Sequence, residues 1–162
     1  MDFPDPVALA RPLYFFRHGQ TDWNREKRCQ GLTDIPLNAT GEAQARAYGA
    51  RLRAVIGEAD GFRLVASPLS RARRTLELIC AELGLDPARI ETDDRLVEVD
   101  QGQWNRRTYD EIFETWPDDW ADYQADKWAW RRPGGEAYAD RVGPVTAFLR
   151  DLAAAGAPAI VV

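Results

Sequence analysis

Leu13-Tyr14-Phe15-Phe16-Arg17-His18-Gly19 is the stretch that decides the fold. An apolar run that ends abruptly in two basic side chains reads as a buried strand whose polar end opens into a loop. Downstream, Phe62-Arg63-Leu64-Val65-Ala66 repeats the pattern and stops at Ser67-Pro68. A helix is predicted after it from about Ser70 to Leu83, with Gly84 where a C-cap belongs. Between the two runs, Asn38 or Thr40 caps an alanine-rich helix reaching about Ile56. Two strand-then-helix units imply an α/β protein: three layers, α/β/α, around a mostly parallel central sheet.

Residues 20–37 are polar without helical periodicity and read as a long surface loop. Glu91 to Gly102 carries Glu98 in a loop or short edge strand. Tyr109 to Trp116 reads as a helix stopped by Pro117. A further helix is expected from about Glu136 to Ala155, kinked or divided by Pro144. Ala157-Pro158-Ala159-Ile160-Val161-Val162 reads as a buried central strand. Neither a repeat nor a linker divides the chain, so residues 1–162 are read as a single domain.

The net charge of −5 argues against a broad nucleic-acid-binding surface. An anionic ligand therefore needs a local basic pocket. No run is long enough to span a membrane, and Met1 to Pro12 lacks the basic start of a secretory signal. Cys29 and Cys80 lack metal-clip spacing and read as two reduced thiols. The expectation is a soluble, cytoplasmic protein, monomer or homodimer, with no nucleic-acid or membrane partner.

Ligands of open parallel sheets bind beyond the carboxyl ends of the strands. Arg17-His18-Gly19 and Ser67-Pro68-Leu69-Ser70-Arg71 both fall there. If the two strands are neighbours, two guanidiniums and one imidazole converge. Arginine's rigid fork suits phosphate oxygens, and Arg71 adds the donors of a helix first turn. Taken singly, the histidine reads as structural and the arginine as a solvated charge; their coincidence at strand ends points to a phosphate pocket.

Arg17-His18-Gly19-Gln20-Thr21-Asp22-Trp23-Asn24 resembles the signature of the histidine phosphatase (phosphoglycerate-mutase-like) superfamily. The resemblance continues in order through Leu37-Asn38-Ala39-Thr40-Gly41-Glu42, Ala66-Ser67-Pro68-Leu69-Ser70-Arg71-Ala72, Leu96-Val97-Glu98-Val99-Asp100-Gln101-Gly102-Gln103-Trp104 and Pro133-Gly134-Gly135-Glu136. It implies a phosphoglycerate-mutase-like fold and a double displacement. His18 would attack phosphorus, giving a phosphohistidine that water hydrolyses. A hydrogen bond at its other ring nitrogen, to a carbonyl such as that of Gly19, would hold the ring. Arg17 and Arg71 would stabilise the equatorial oxygens, and Glu98 would protonate the leaving oxygen and then activate water. Thr21, Asn24 and Gly31 carry over as lesser phosphate- or substrate-binding positions. Neither a metal nor another cofactor is implied.

The resemblance also implies a second pocket histidine, in a histidine-glycine pair directly after the last core strand. His18 is the one histidine in the chain, and Val162 stands where that pair should begin. The expectation is a domain lacking its C-terminal portion, by truncation of a longer parent or as a naturally shortened member. After Trp104 the chain departs again, with Asn105-Arg106-Arg107-Thr108 either facing the substrate or solvated.

Trp104, Trp116, Trp120, Trp128 and Trp130 crowd one segment. They read as a subsidiary hydrophobic cluster, with an aromatic lid over the pocket as the sharper alternative. Asp118, Asp119, Asp122 and Asp126 would repel polyanions and favour a small monophosphate ester. The expected function is a metal-independent phosphomonoester hydrolase acting on a small phosphorylated metabolite. The alternatives are a phosphoglycerate mutase and a weakly catalytic member that binds a phospho-ligand or inorganic phosphate.

Overall fold

A computed structural model describes residues 5–162. Strand β1 (Leu13–Phe15) is followed by a one-turn helix α1 (Asp22–Arg25) and the long helix α2 (Ala39–Ile56). Next come β2 (Arg63–Ala66), α3 (Ser70–Leu83) and the two-residue β3 (Glu91–Thr92). Helices α4 (Tyr109–Thr115), α5 (Pro117–Ala125) and α6 (Val142–Ala155) precede β4 (Ala159–Val161). The strands are ordered β1-β4-β2-β3 and every pairing is parallel. The last run of the sequence is thus a central strand, as its composition predicts.

Alternation along the strands divides the core. Tyr14, Phe16, Leu64, Ala66, Ile160 and Val162 pack on one face against the layer built by α2 and α3. Leu13, Val65, Ala159 and Val161 pack on the other against Phe148, Leu149 and Leu152 of α6. Three layers result, because each sheet face is covered by an apolar helical stripe.

The local signals behave as expected at the best-capped elements. Asn38 accepts a hydrogen bond from the Gly41 N–H at 2.9 Å and opens α2, and Gly84 closes α3 in the left-handed region at φ 74°. Pro117 separates α4 from α5 by starting the second helix, where no backbone N–H is needed.

Four points of the sequence reading need correction. Residues 20–37 are not all loop: Thr21 and Asn24 form a reciprocal capping box that starts α1, too short for periodicity to reveal. The helix expected from Glu136 begins only at Val142, after a 3-10 turn at Tyr138–Arg141. Pro144 lies in the first turn of α6, so it neither kinks nor divides that helix. Finally, β1 and β2 are not neighbours, because β4 lies between them.

Candidate active site

The two polar strand ends still meet. Phe16 N–H donates to the Val161 carbonyl and Ser67 N–H to that of Val162, which extends the ladder past both strands. Arg17 and His18 therefore stand on one side of Val162 and the Ser67–Arg71 segment on the other. Together with Asn24, Glu98 and Gln101 they line a cleft of about 400 Å³.

His18 is fixed by its own backbone. Its Nδ1 lies 2.7 Å from the Gly19 carbonyl. A carbonyl only accepts, so Nδ1 carries the proton and Nε2 keeps the lone pair. The Gly19 N–H in turn donates to the buried Thr75 hydroxyl at 3.0 Å, tying the loop to α3. Burial pushes the His18 pKa down from 6.5 to about 4; the Gly19 hydrogen bond opposes this, and the charges of Arg71 and Arg17 add to it. The imidazole is neutral at physiological pH, which is the nucleophilic form.

Arg71 is 1% exposed and is held from three directions. Its Nη1 donates to the Thr33 carbonyl (2.9 Å), and its Nη2 to the Gly31 carbonyl (2.8 Å) and Glu98 Oε2 (2.9 Å). Two of its five N–H groups remain for a ligand. Arg17 lies across the cleft, exposed, its guanidinium without a hydrogen-bond or ion-pair partner among the described residues. The site thus pairs one pre-positioned guanidinium with one that is uncommitted.

Glu98 lies in irregular backbone, not in an alternating strand. Its Oε1 accepts from Gln101 Nε2 at 3.4 Å. Asn24 lines the cleft, and its Oδ1 is committed to the Thr21 backbone N–H at 3.0 Å. That leaves its Nδ2 as the donor available to a ligand.

Thr21 and Gly31 do not line the cleft. Thr21 is fully buried, caps α1 and donates to Gln30 Oε1 at 2.6 Å. Gly31, at φ 50°, contributes its carbonyl to Arg71. Both support side chains that reach the cleft.

The sequence reading missed Arg28, Gln30, Gln101, Tyr109 and Tyr138 in the cleft wall. None carried a recognisable local signal. Arg28 is occupied by Glu26 at 3.1 Å and Glu111 at 3.4 Å, while Arg106 and Arg107 do not line the cleft. Cys29 also lines it, but burial pushes its thiol up to about 11, so no thiolate competes with His18 at neutral pH. Trp104, Trp116, Trp120 and Trp130, but not Trp128, form the subsidiary cluster, with Trp104 buried against Trp120, Tyr123 and Trp130. They make no lid; the aromatic rings at the cleft are Phe15, Phe16, Tyr109 and Tyr138.

Comparison with known proteins agrees with this fold. A mycobacterial glucosyl-3-phosphoglycerate phosphatase solved with VO3 superposes with a TM-score of 0.81 at 29% identity, over 94% of this chain and 74% of that one. A Thermus thermophilus protein, TTHB049, superposes with a TM-score of 0.68 at 34% identity, over 92% and 75%. A protein of Salmonella paratyphi C named "Probable phosphoglycerate mutase" is 36% identical over 92% of this chain, which spans 67% of that relative's length. The sequence profile of the histidine phosphatase superfamily (branch 1) matches residues 13–162, and the chain belongs to that superfamily.

Proposed function

We propose that the protein is a metal-independent phosphomonoesterase that hydrolyses a small phosphorylated metabolite through a phosphohistidine at His18. One observation carries the reading: the 2.7 Å bond from His18 Nδ1 to the Gly19 carbonyl leaves Nε2 unprotonated in a cleft that Arg17 and Arg71 also line. Nε2 attacks phosphorus as the ester oxygen leaves. Arg71 and Arg17 take the charge spread over the equatorial oxygens, and Asn24 Nδ2 adds a neutral donor. Glu98 gives its proton to the leaving oxygen and, in the second half-reaction, takes one from the water that attacks the phosphohistidine. The two guanidiniums supply the positive charge that a metal supplies in other phosphatases.

The phosphatase activity named for the mycobacterial neighbour supports hydrolysis. The name of the Salmonella relative supports the second reading, a phosphoglycerate mutase. The test is hydrolysis of 4-nitrophenyl phosphate in excess chelator. The native protein should turn over and trap an acid-labile phosphoenzyme, and His18→Ala should lose at least about a thousandfold in rate. Activity that needs a metal, or that survives His18→Ala, overturns the mechanism. Phosphoglycerate isomerisation on adding bisphosphoglycerate, faster than hydrolysis, would establish the mutase.

A further inference from the structure

Arg132 is 1% exposed although it carries a full charge. Among the described residues its side-chain hydrogen bonds go only to neutral acceptors: Nε to Gln101 Oε1 at 2.7 Å and Nη1 to the Glu136 carbonyl at 3.0 Å. Its guanidinium lies 4.3 Å from the centroid of the Tyr138 ring and 5.5 Å from that of Tyr123. Burying a cation without a carboxylate is costly, and cation–π contacts offset only part of that cost.

Arginine has donors and no acceptor, so the Gln101 amide must present its oxygen to Arg132. That choice turns Gln101 Nε2 toward the cleft, where it lies 3.4 Å from Glu98 Oε1. The other carboxylate oxygen of Glu98 accepts from Arg71 at 2.9 Å. Glu98 is therefore held at both oxygens, by the arginine of the phosphate pocket and by the amide that Arg132 orients.

The main chain makes the same connection. Glu136 N–H donates to the Asp100 carbonyl at 3.0 Å and Gln103 N–H to the Pro133 carbonyl at 2.9 Å, so the two loops are joined through their main chains. The approach is close enough that a Cβ on Gly102 would stand 2.3 Å from the Pro133 oxygen.

We propose that Arg132, acting through Gln101, is the positioning residue that aims the Glu98 carboxylate at the leaving oxygen. The proposal rests on the phosphatase reading above. The positioning matters in proportion to how much the leaving group needs a proton. Nitrophenolate departs without one, whereas an alkoxide does not, so a misaimed acid is felt with alkyl esters and spared with 4-nitrophenyl phosphate.

The test compares kcat/KM, which reports steps through departure of the leaving group, for 4-nitrophenyl phosphate and glycerol 2-phosphate. Arg132→Met and Gln101→Met should lose about 30-fold on the alkyl ester and less than about threefold on the aryl ester. That is the pattern of Glu98→Gln at smaller amplitude, and Arg132→Lys, which keeps a donor for Gln101 Oε1, should recover part of the loss. Thermal melting establishes that each variant is folded; if Arg132→Met is not, Gln101→Met and Arg132→Lys decide the matter. Equal loss on both esters, or none on either, overturns the positioning role while leaving the phosphatase reading intact. A native protein that hydrolyses neither ester overturns both.

Discussion

Adding one methyl group at Gly41, a residue that touches no ligand, should disable the site. Gly41 lies buried in the first turn of α2, where the loop carrying His18 crosses it. A Cβ there would stand 2.1 Å from the Gln20 carbonyl oxygen and 2.7 Å from its nitrogen. Both atoms are backbone and pinned: Gln20 N–H donates to Gln44 Oε1 at 2.9 Å, and the Gln20 carbonyl accepts from the Asn38 N–H at 3.0 Å. No side chain can rotate away, so the loop must retreat by about 1 Å, a displacement that costs about a hundredfold when it falls on a reacting group. For stability, overpacking costs about 1–3 kcal/mol, against a gain of about 1 kcal/mol in helix propensity. The net is a loss of up to about 2 kcal/mol, which corresponds to at most about 4–8 °C in melting temperature for a domain of this size. Gly143→Ala is the control, because that helical glycine has open space around its Cβ position. It should keep full activity and melt no lower than the native protein. Aryl phosphate hydrolysis and thermal melting together read the result. A Gly41→Ala protein with native kcat/KM and native melting would show that the close approach of Gln20 to α2 does not hold His18 in place.

Since His18 is the one histidine, a single set of imidazole resonances reports its titration, with an expected midpoint of about pH 4 in place of the usual 6.5. The folded form binds the proton more weakly than the unfolded chain, so this group's contribution to stability is whole above 6.5 and is lost as the pH falls toward 4; a midpoint near 6.5 would contradict the buried, arginine-flanked setting. Thr75→Val removes the acceptor for the Gly19 N–H and should cost about 1–3 kcal/mol for a buried unsatisfied donor. Thr75→Ser, which keeps the hydroxyl, should melt close to the native protein, and equal melting of the valine and serine variants would refute the hydrogen bond's role.

Much of the fold was legible because its signals are local. The apolar runs at Leu13 and Ala159 mark strands on sight, and Asn38 and Gly84 mark helix ends through cap chemistry that acts within one turn. What escaped was non-local. No pattern in the sequence says that β4 enters between β1 and β2, because strand order is set by which edges the crossovers leave open. The Tyr138–Arg141 turn escaped for a different reason: Asp140 accepts from the Ala137 N–H and draws the chain into a 3-10 turn ahead of α6. Arg28, Gln101 and Arg132 were invisible for the same non-local reason. An arginine buried against two tyrosine rings looks, in the sequence, like any solvated charge.

The residues that resemblance carried over, Thr21 and Gly31, show how a motif position can matter without meeting the ligand. Thr21 occupies the cap of α1, and its backbone N–H commits Asn24 Oδ1, so that the amide nitrogen is the end left to donate. Gly31 gives its carbonyl to Arg71 from a left-handed conformation that a side chain would strain. Thr33 does likewise from two residues on, and Glu98 from a distant loop. Arg71 is thus held by the loop after α1, by the acid-bearing loop and by its own place in the first turn of α3. A guanidinium satisfied on three N–H groups cannot rotate to follow a ligand, so the ligand must come to the two that remain. That rigidity is what electrostatic stabilisation of a transition state requires, since donors already in place need no reorganisation as charge develops. It also accounts for the contrast with Arg17, whose guanidinium has no such partners among the described residues and is free to move toward a ligand that Arg71 would fix in place.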